Sequence, residues 1–228
     1  MAKKDLKESI EIIESPEALR EEVTKFEKTI EKNSKTIYII AGIAVIGLAA
    51  FFGNKYYQNS QAEAGEKKLF SAVYAFEADS LNTANQELLA ISDEFGGSTQ
   101  NLADFYLGVS YMKQGRFNDA IEKLKNFESG DLLVQARAYA LIGDCYMETK
   151  AYSEAIPYLV KASEYKPNDT FTPGYLLKLA IAYEANEDNQ EAIETYSKII
   201  DNYPIAPEAM AAKKYKGMLE SASDVISK

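Results

Sequence analysis

A chain of 228 residues with no histidine and one cysteine, Cys145, forms no internal disulfide and lacks the commonest general base and metal ligand. Its net charge of −10 is carried by the residues after 57, which hold sixteen Lys/Arg against twenty-six Asp/Glu. So acidic a region repels phosphate backbones, which argues against nucleic acid as a partner.

Residues 1–35 are mostly polar and read as an arm. The first fourteen contain a short apolar run, Ile10, Ile12 and Ile13, and are expected to be largely disordered. At Ser15-Pro16-Glu17 a helix start is predicted, from a Ser N-cap, Pro at the first helical position and an acid in the first turn. Leu19, Val23, Phe26 and Ile30 then follow at steps of four, three and four, which is one narrow apolar stripe. Under two heptads is too short for a stable isolated coiled coil. The stripe is therefore expected to lie on the inner membrane face or to dock on a cytoplasmic partner, ahead of pairing with a second copy. Asn33-Ser34 is expected to break or bend the helix.

From Thr36 to Gly53 the chain reads TIYIIAGIAVIGLAAFFG, without a charge. At about 1.5 Å per residue this run covers roughly 27 Å as a helix, close to the hydrocarbon thickness of a bilayer. A transmembrane helix over 36–53 is predicted, with Tyr38, Tyr56 and Tyr57 at its interfaces. The run is too long and starts too late for a cleavable signal peptide. Arg20, Lys25, Lys28, Lys32 and Lys35 flank it on the N-side, against Lys55, Lys67 and Lys68 on the C-side. That bias places the N-terminus in the cytoplasm and the large domain outside. Ala49 and Gly53 form one small-xxx-small pair, which leaves a homodimer open. Residues 54–61 are expected to be a linker.

After the linker come two helices, AEAGEKKLFSAVYAFEAD and TANQELLAISDEFG. Leu69, Val73 and Phe76 give one apolar face, and Leu88, Ile91 and Phe95 the other; Leu81-Asn82 is read as their turn and Gly96-Gly97 as the end of the pair. Beyond residue 100 the pattern repeats. Gly108-x-x-Tyr111 recurs as Gly143-x-x-Tyr146 and as Ala180-x-x-Tyr183. Ala120-x-x-x-Leu124 recurs as Ala155-x-x-x-Leu159 and as Ala192-x-x-x-Tyr196. Steps of 35 and 37 residues mark stacked helix–turn–helix units. Small residues are needed where the two helices of a unit touch, so Gly108 is expected against Ala120 and Gly143 against Ala155. Pro207 is read as opening a last helix, with Ala209, Ala212, Tyr215 and Leu219 inward and Glu208, Lys213, Lys214 and Lys216 outward.

These three stretches resemble tetratricopeptide repeats (TPR), clearly over 101–204 and in degenerate form over 62–98. The expected fold is all-α: an N-terminal transmembrane helix, then a TPR α-solenoid of one degenerate repeat (62–98), three clear repeats (99–204) and a capping helix with a tail (205–228). The resemblance implies binding on the surface made by the first helix of each unit. Carried over residue by residue, the groove is Phe105, Val109 and Met112, then Arg137, Ala140, Asp144 and Met147, then Leu177, Ile181 and Glu184. It lacks the Lys/Asn set with which chaperone-binding TPR domains hold a peptide carboxylate, and an extended or unfolded apolar segment suits it better. The alternative is that these residues pack only against the protein's own ends.

No catalytic pattern emerges. Gly108-Val109-Ser110 lacks the second glycine of a nucleophile elbow, and Cys145 has no histidine to activate it. No phosphate loop or metal-spaced cluster appears, so neither an enzyme nor a cofactor or small-molecule substrate is expected. In layout, the arm and EEVTKFEKTIEKNSK running into the span, with NKYYQNSQAEA leaving it, resemble single-span bacterial TPR proteins that are ancillary subunits of the SecYEG translocon. That resemblance implies an inner-membrane protein with a periplasmic TPR domain, whose partners are the translocon, unfolded clients and periplasmic chaperones. A scaffold tethering a cell-division or outer-membrane assembly complex is the second reading.

Overall fold

A computed structural model describes residues 16–226. Ser15 and the Ile10–Ile13 run lie outside the described residues. The chain divides between Ser60 and Gln61 into two units.

In the first unit, helix α1 spans Pro16–Lys32 and opens on the proline. Leu19 and Val23 are 43% and 50% exposed, so this half of the stripe is uncovered. Phe26 and Ile30 belong to the same helix, but their side chains lie outside the described set. The break falls at Asn33, and α2 then runs Ser34–Glu77. The predicted span sits inside α2. An apolar window of mean hydropathy 1.6 makes this helix long and apolar enough to cross a membrane, and none of that window is buried. Residues 54–61, expected to be a linker, are helical, and the boundary between the two units falls within them. The physical reason is plain: NKYYQNSQ contains neither proline nor glycine, and nothing in it stops a helix already running.

In the second unit, helices pair in sequence order. The last turns of α2 go with α3 (Leu81–Glu94), α4 (Gly97–Lys113) with α5 (Phe117–Lys125), α6 (Leu132–Glu148) with α7 (Tyr152–Glu164), and α8 (Thr172–Ala185) with α9 (Asn189–Asn202). Helix α10 (Glu208–Ile226) closes the series, with Ala209 and Ala212 buried and Lys213 and Lys214 exposed. Pro207 stands just before α10 instead of inside it.

The close contact inside each unit differs from the expected one. A Cβ at Gly108 would lie 2.5 Å from Leu124 Cγ, and one at Gly143 would lie 2.6 Å from Leu159 Cγ. The glycines therefore make room for the leucine one turn beyond the predicted alanine, although the Ala120 carbonyl is also near, at 3.3 Å. The small and bulky partners are sixteen residues apart. At the same spacing the third clear unit pairs Ala180 with Tyr196, both fully buried. There an alanine and a tyrosine of one core cluster stand where the first two units have a glycine and a leucine. The degenerate unit obeys the same rule with Ala72 and Leu88, also fully buried.

The turns confirm four equivalent units. Seven residues after each small residue, the chain enters the left-handed region at Asp79 (φ 58°), Gly115 (73°), Lys150 (59°) and Glu187 (67°). The next amide reaches back to the third-last carbonyl of the helix: Ser80 to Ala75, Arg116 to Tyr111, Ala151 to Tyr146 and Asp188 to Tyr183. This is the Schellman closure, which satisfies carbonyls a helix end leaves orphaned. The first turn is thus Ala78–Ser80, and Leu81 already belongs to α3. Gly97, expected to help end the first pair, instead begins α4 with φ of 64°.

Candidate functional site: a cleft on the first-helix face

First helices meet one another across units, α4 against α6 and α8 against α10. Between α6 and α8 the stack opens into a cleft of about 450 Å³. One wall is α6, with Leu133, Arg137, Ala140, Leu141 and Asp144; the other is the start of α8, with Phe171, Tyr175 and Lys178. Arg137, Ala140, Leu141 and Asp144 share a stripe because they fall three, four and seven residues apart on a helix.

Local capping aims both walls. Asp131 caps α6, its carboxylate accepting from the Leu133 and Val134 amides at 2.8 and 3.1 Å. Those two bonds hold the Asp131 carboxyl below its ordinary range. On the opposite wall the Asn168 side-chain oxygen accepts from the Thr170 and Phe171 amides at 3.1 and 2.9 Å, which fixes where Phe171 enters α8.

Across the cleft Lys178 Nζ donates to Asp144 Oδ2 at 2.5 Å. Tyr175 sits among these charges. Burial pushes its phenol upward, Asp144 adds to that, and Arg137 opposes it. The hydroxyl is therefore a neutral donor at physiological pH. Another cleft, of about 480 Å³, lies between α7, α8 and α9. Three hydroxyls in its wall are already committed, Ser163 donating to the Val160 carbonyl, Thr195 to the Glu191 carbonyl, and Thr172 accepting from the Asn168 amide.

Comparison with known proteins agrees with this geometry. Family models described as tetratricopeptide repeat match residues 106–169 and 175–204. Those two stretches are tetratricopeptide repeats. No curated protein matches the chain. Solved structures share the TPR fold. A crystal structure of MamA is 24% identical, with a TM-score of 0.57 over 67% of this chain and 84% of that one. A putative kinesin light chain of Podosopora anserina, described as having nearly identical TPR-like repeats, is 16% identical, with a TM-score of 0.56 over 70% and 86%. MamA from Desulfovibrio magneticus RS-1 gives 16% and 0.56 over 70% and 85%. The TPR domain makes the chain a protein-interaction module.

Of the TPR groove residues read from the sequence, Arg137, Ala140 and Asp144 come together in the cleft. Ala140 is 3% exposed and serves as its floor. Ile181 is 40% exposed on α8. Val109 is half-buried on α4. Phe105 leans on Phe127 and Tyr106, with centroids 4.9 and 5.8 Å away, and Met112 packs on the same core. Met147 and Leu177 pack on the second core cluster. Glu184 accepts a hydrogen bond from the Tyr196 hydroxyl, which burial and this carboxylate push upward. Leu133, Phe171, Tyr175 and Lys178 escaped the sequence reading. One signal was present: Lys178 lies 34 residues after Asp144, about one repeat on and opposite in charge.

Cys145 is fully buried, and burial with the neighbouring Asp144 and Glu148 charges pushes its thiol up to about 12. A thiol held protonated in this way is no nucleophile. Among the described residues no group of three His, Cys, Asp or Glu is placed to hold a metal.

Proposed function

We propose that the chain is a membrane-anchored interaction protein whose TPR domain receives unfolded or translocating polypeptides at the secretion translocon and passes them to periplasmic chaperones. The α6–α8 cleft carries the reading. It is open and presented by first helices, and its rim residues Leu133 and Phe171 are 45% and 43% exposed. Such a surface suits an extended apolar segment.

Anchoring is supported by α2. Its window exposes Ile39, Ile40, Ile43, Val45, Ile46, Leu48, Phe51 and Phe52, each at least 58%. A bilayer supplies the cover that water cannot. The lysine and arginine bias then sets the N-terminus in the cytoplasm and the TPR domain in the periplasm. The α1 stripe of Leu19, Val23, Phe26 and Ile30 is assigned to the translocon or the inner membrane face. The location at the translocon rests on the resemblance in layout.

A photo-crosslinking residue at Leu133 or Phe171 is expected to capture many exported clients in bacterial cells. Capture of one stoichiometric folded partner would replace this reading with the envelope scaffold. Asp169 is exposed and Cys145 is buried, so Asp169→Cys provides a single accessible thiol. An impermeant maleimide should label it from the periplasmic side, and protection there would reverse the topology.

A further inference from the structure

One charged group in the cleft has no carboxylate paired with it among the described residues. Lys178 and Asp144 satisfy each other. Arg137 is exposed and has no ion-pair partner among the described residues. The cleft's three charged side chains sum to +1, in a domain that otherwise carries a net negative charge. Around Arg137 the walls are apolar or aromatic: Leu133, Leu141, Phe171 and Tyr175. A guanidinium presents a planar fork of donors that matches a carboxylate in two parallel bonds. At the edge of an apolar hollow such a bond gains strength, because little water competes with it. The volume of about 450 Å³ lies within the usual range of ligand sites.

We infer that the α6–α8 cleft selects extended polypeptide segments in which an aspartate or glutamate stands beside a large aromatic side chain. The carboxylate pairs with Arg137 and accepts from the Tyr175 hydroxyl. The aromatic ring lies between Leu133 and Phe171. A basic segment is disfavoured, since it would meet Arg137 directly and would have to displace Lys178 from Asp144. The domain's negative charge does not overrule this at contact range, because physiological salt screens charges beyond about 8 Å. The inference rests on the proposed client-binding role and narrows it to one chemical class.

The test uses the full chain in lipid nanodiscs and a fluorescein-labelled, C-terminally amidated peptide, Gly-Ser-Asp-Phe-Ser-Gly. Two companions carry Asn for Asp or Ala for Phe. By fluorescence anisotropy the Asp-Phe peptide is expected to bind at least tenfold more tightly than either companion. Arg137→Gln should bring it down to the level of the Asn peptide while leaving the Asn peptide unchanged, as a pairwise coupling requires. Phe171→Ala should erase the preference for Phe. Arg137 is exposed, so an unaltered helical melt will show that its variant is folded. Equal binding of the Asp and Asn peptides, absence of binding, or a preference that survives Arg137→Gln overturns the inference. Crosslinking from Leu133 separates the two levels. Clients still captured in cells would leave the client-binding role standing without this selectivity, and no captured clients would remove both.

Discussion

Gly143→Leu is expected to abolish the cooperative helical melt of the TPR domain. Even a Cβ at this position would lie 2.6 Å from two carbons of Leu159, which is fully buried and has no room to retreat. A whole leucine would need α6 and α7 to part, which would expose Leu159 and Ile142 on either side of the contact. The milder Gly143→Ala should cost about 1–3 kcal/mol, the usual range for overpacking. Pairing it with Leu159→Ala should cost less than the two single changes summed, because the clash and the cavity cancel in part. Cys145, two residues away and fully buried, reports the event directly. Its thiol should ignore a disulfide reagent in the native protein and react within the mixing time in the Gly143→Leu variant. A normal melt with a silent thiol would show that the helices do not meet where the structure puts them.

The second large effect is expected at Asp104. Its side chain is 5% exposed, accepts from Ser92 Oγ at 2.8 Å and pairs with Lys123 Nζ at 3.1 Å. Three helices, α3, α4 and α5, thus converge on one carboxylate. Asp104→Ala removes both bonds and strands the ammonium, and breaking a buried pair in this way typically costs about 3–5 kcal/mol. Lys123 is 19% exposed and can reach toward water, so a loss near 3 kcal/mol is expected in chemical denaturation. Lys123→Met alone should destabilise less than Asp104→Ala, since the remaining carboxylate keeps its Ser92 bond. The reverse order would show that the lysine, not the aspartate, organises the junction.

Much of this architecture was legible because close helix crossings demand small residues at fixed intervals. Gly108, Gly143 and Ala180 announce themselves through the tyrosine three residues on. The unit built on Ala72 is fainter: Ala75 stands where the others have that tyrosine, yet Ala84 and Leu88 keep the spacing. The expected Ala120 does lie close to Gly108, but the nearest atoms to both glycines belong to the leucine one turn on, since period alone cannot tell whether a backbone or a side chain makes the closest approach. Residues 54–61 read as a linker because they are polar; polarity does not end a helix, so the connection is helical. The cleft was half visible. Arg137, Ala140 and Asp144 follow from position within a repeat. Phe171 and Lys178 do not, because the gap between α6 and α8 depends on how units stack and on the lengthened connection between them.

The four left-handed turn residues reach beyond the fold itself. Only one of them is glycine; aspartate, lysine and glutamate hold the same conformation at a cost of roughly 1–2 kcal/mol each. All three non-glycine residues are solvent-exposed, and none borders the α6–α8 cleft. Glycine at 79, 150 and 187 should therefore raise the melting temperature, with part of the gain returned to the more flexible unfolded chain. The molecule holds a reserve that selection has left undrawn. An engineer could spend it on cleft substitutions that alter what the domain recognises, without pushing the solenoid below the threshold of folding.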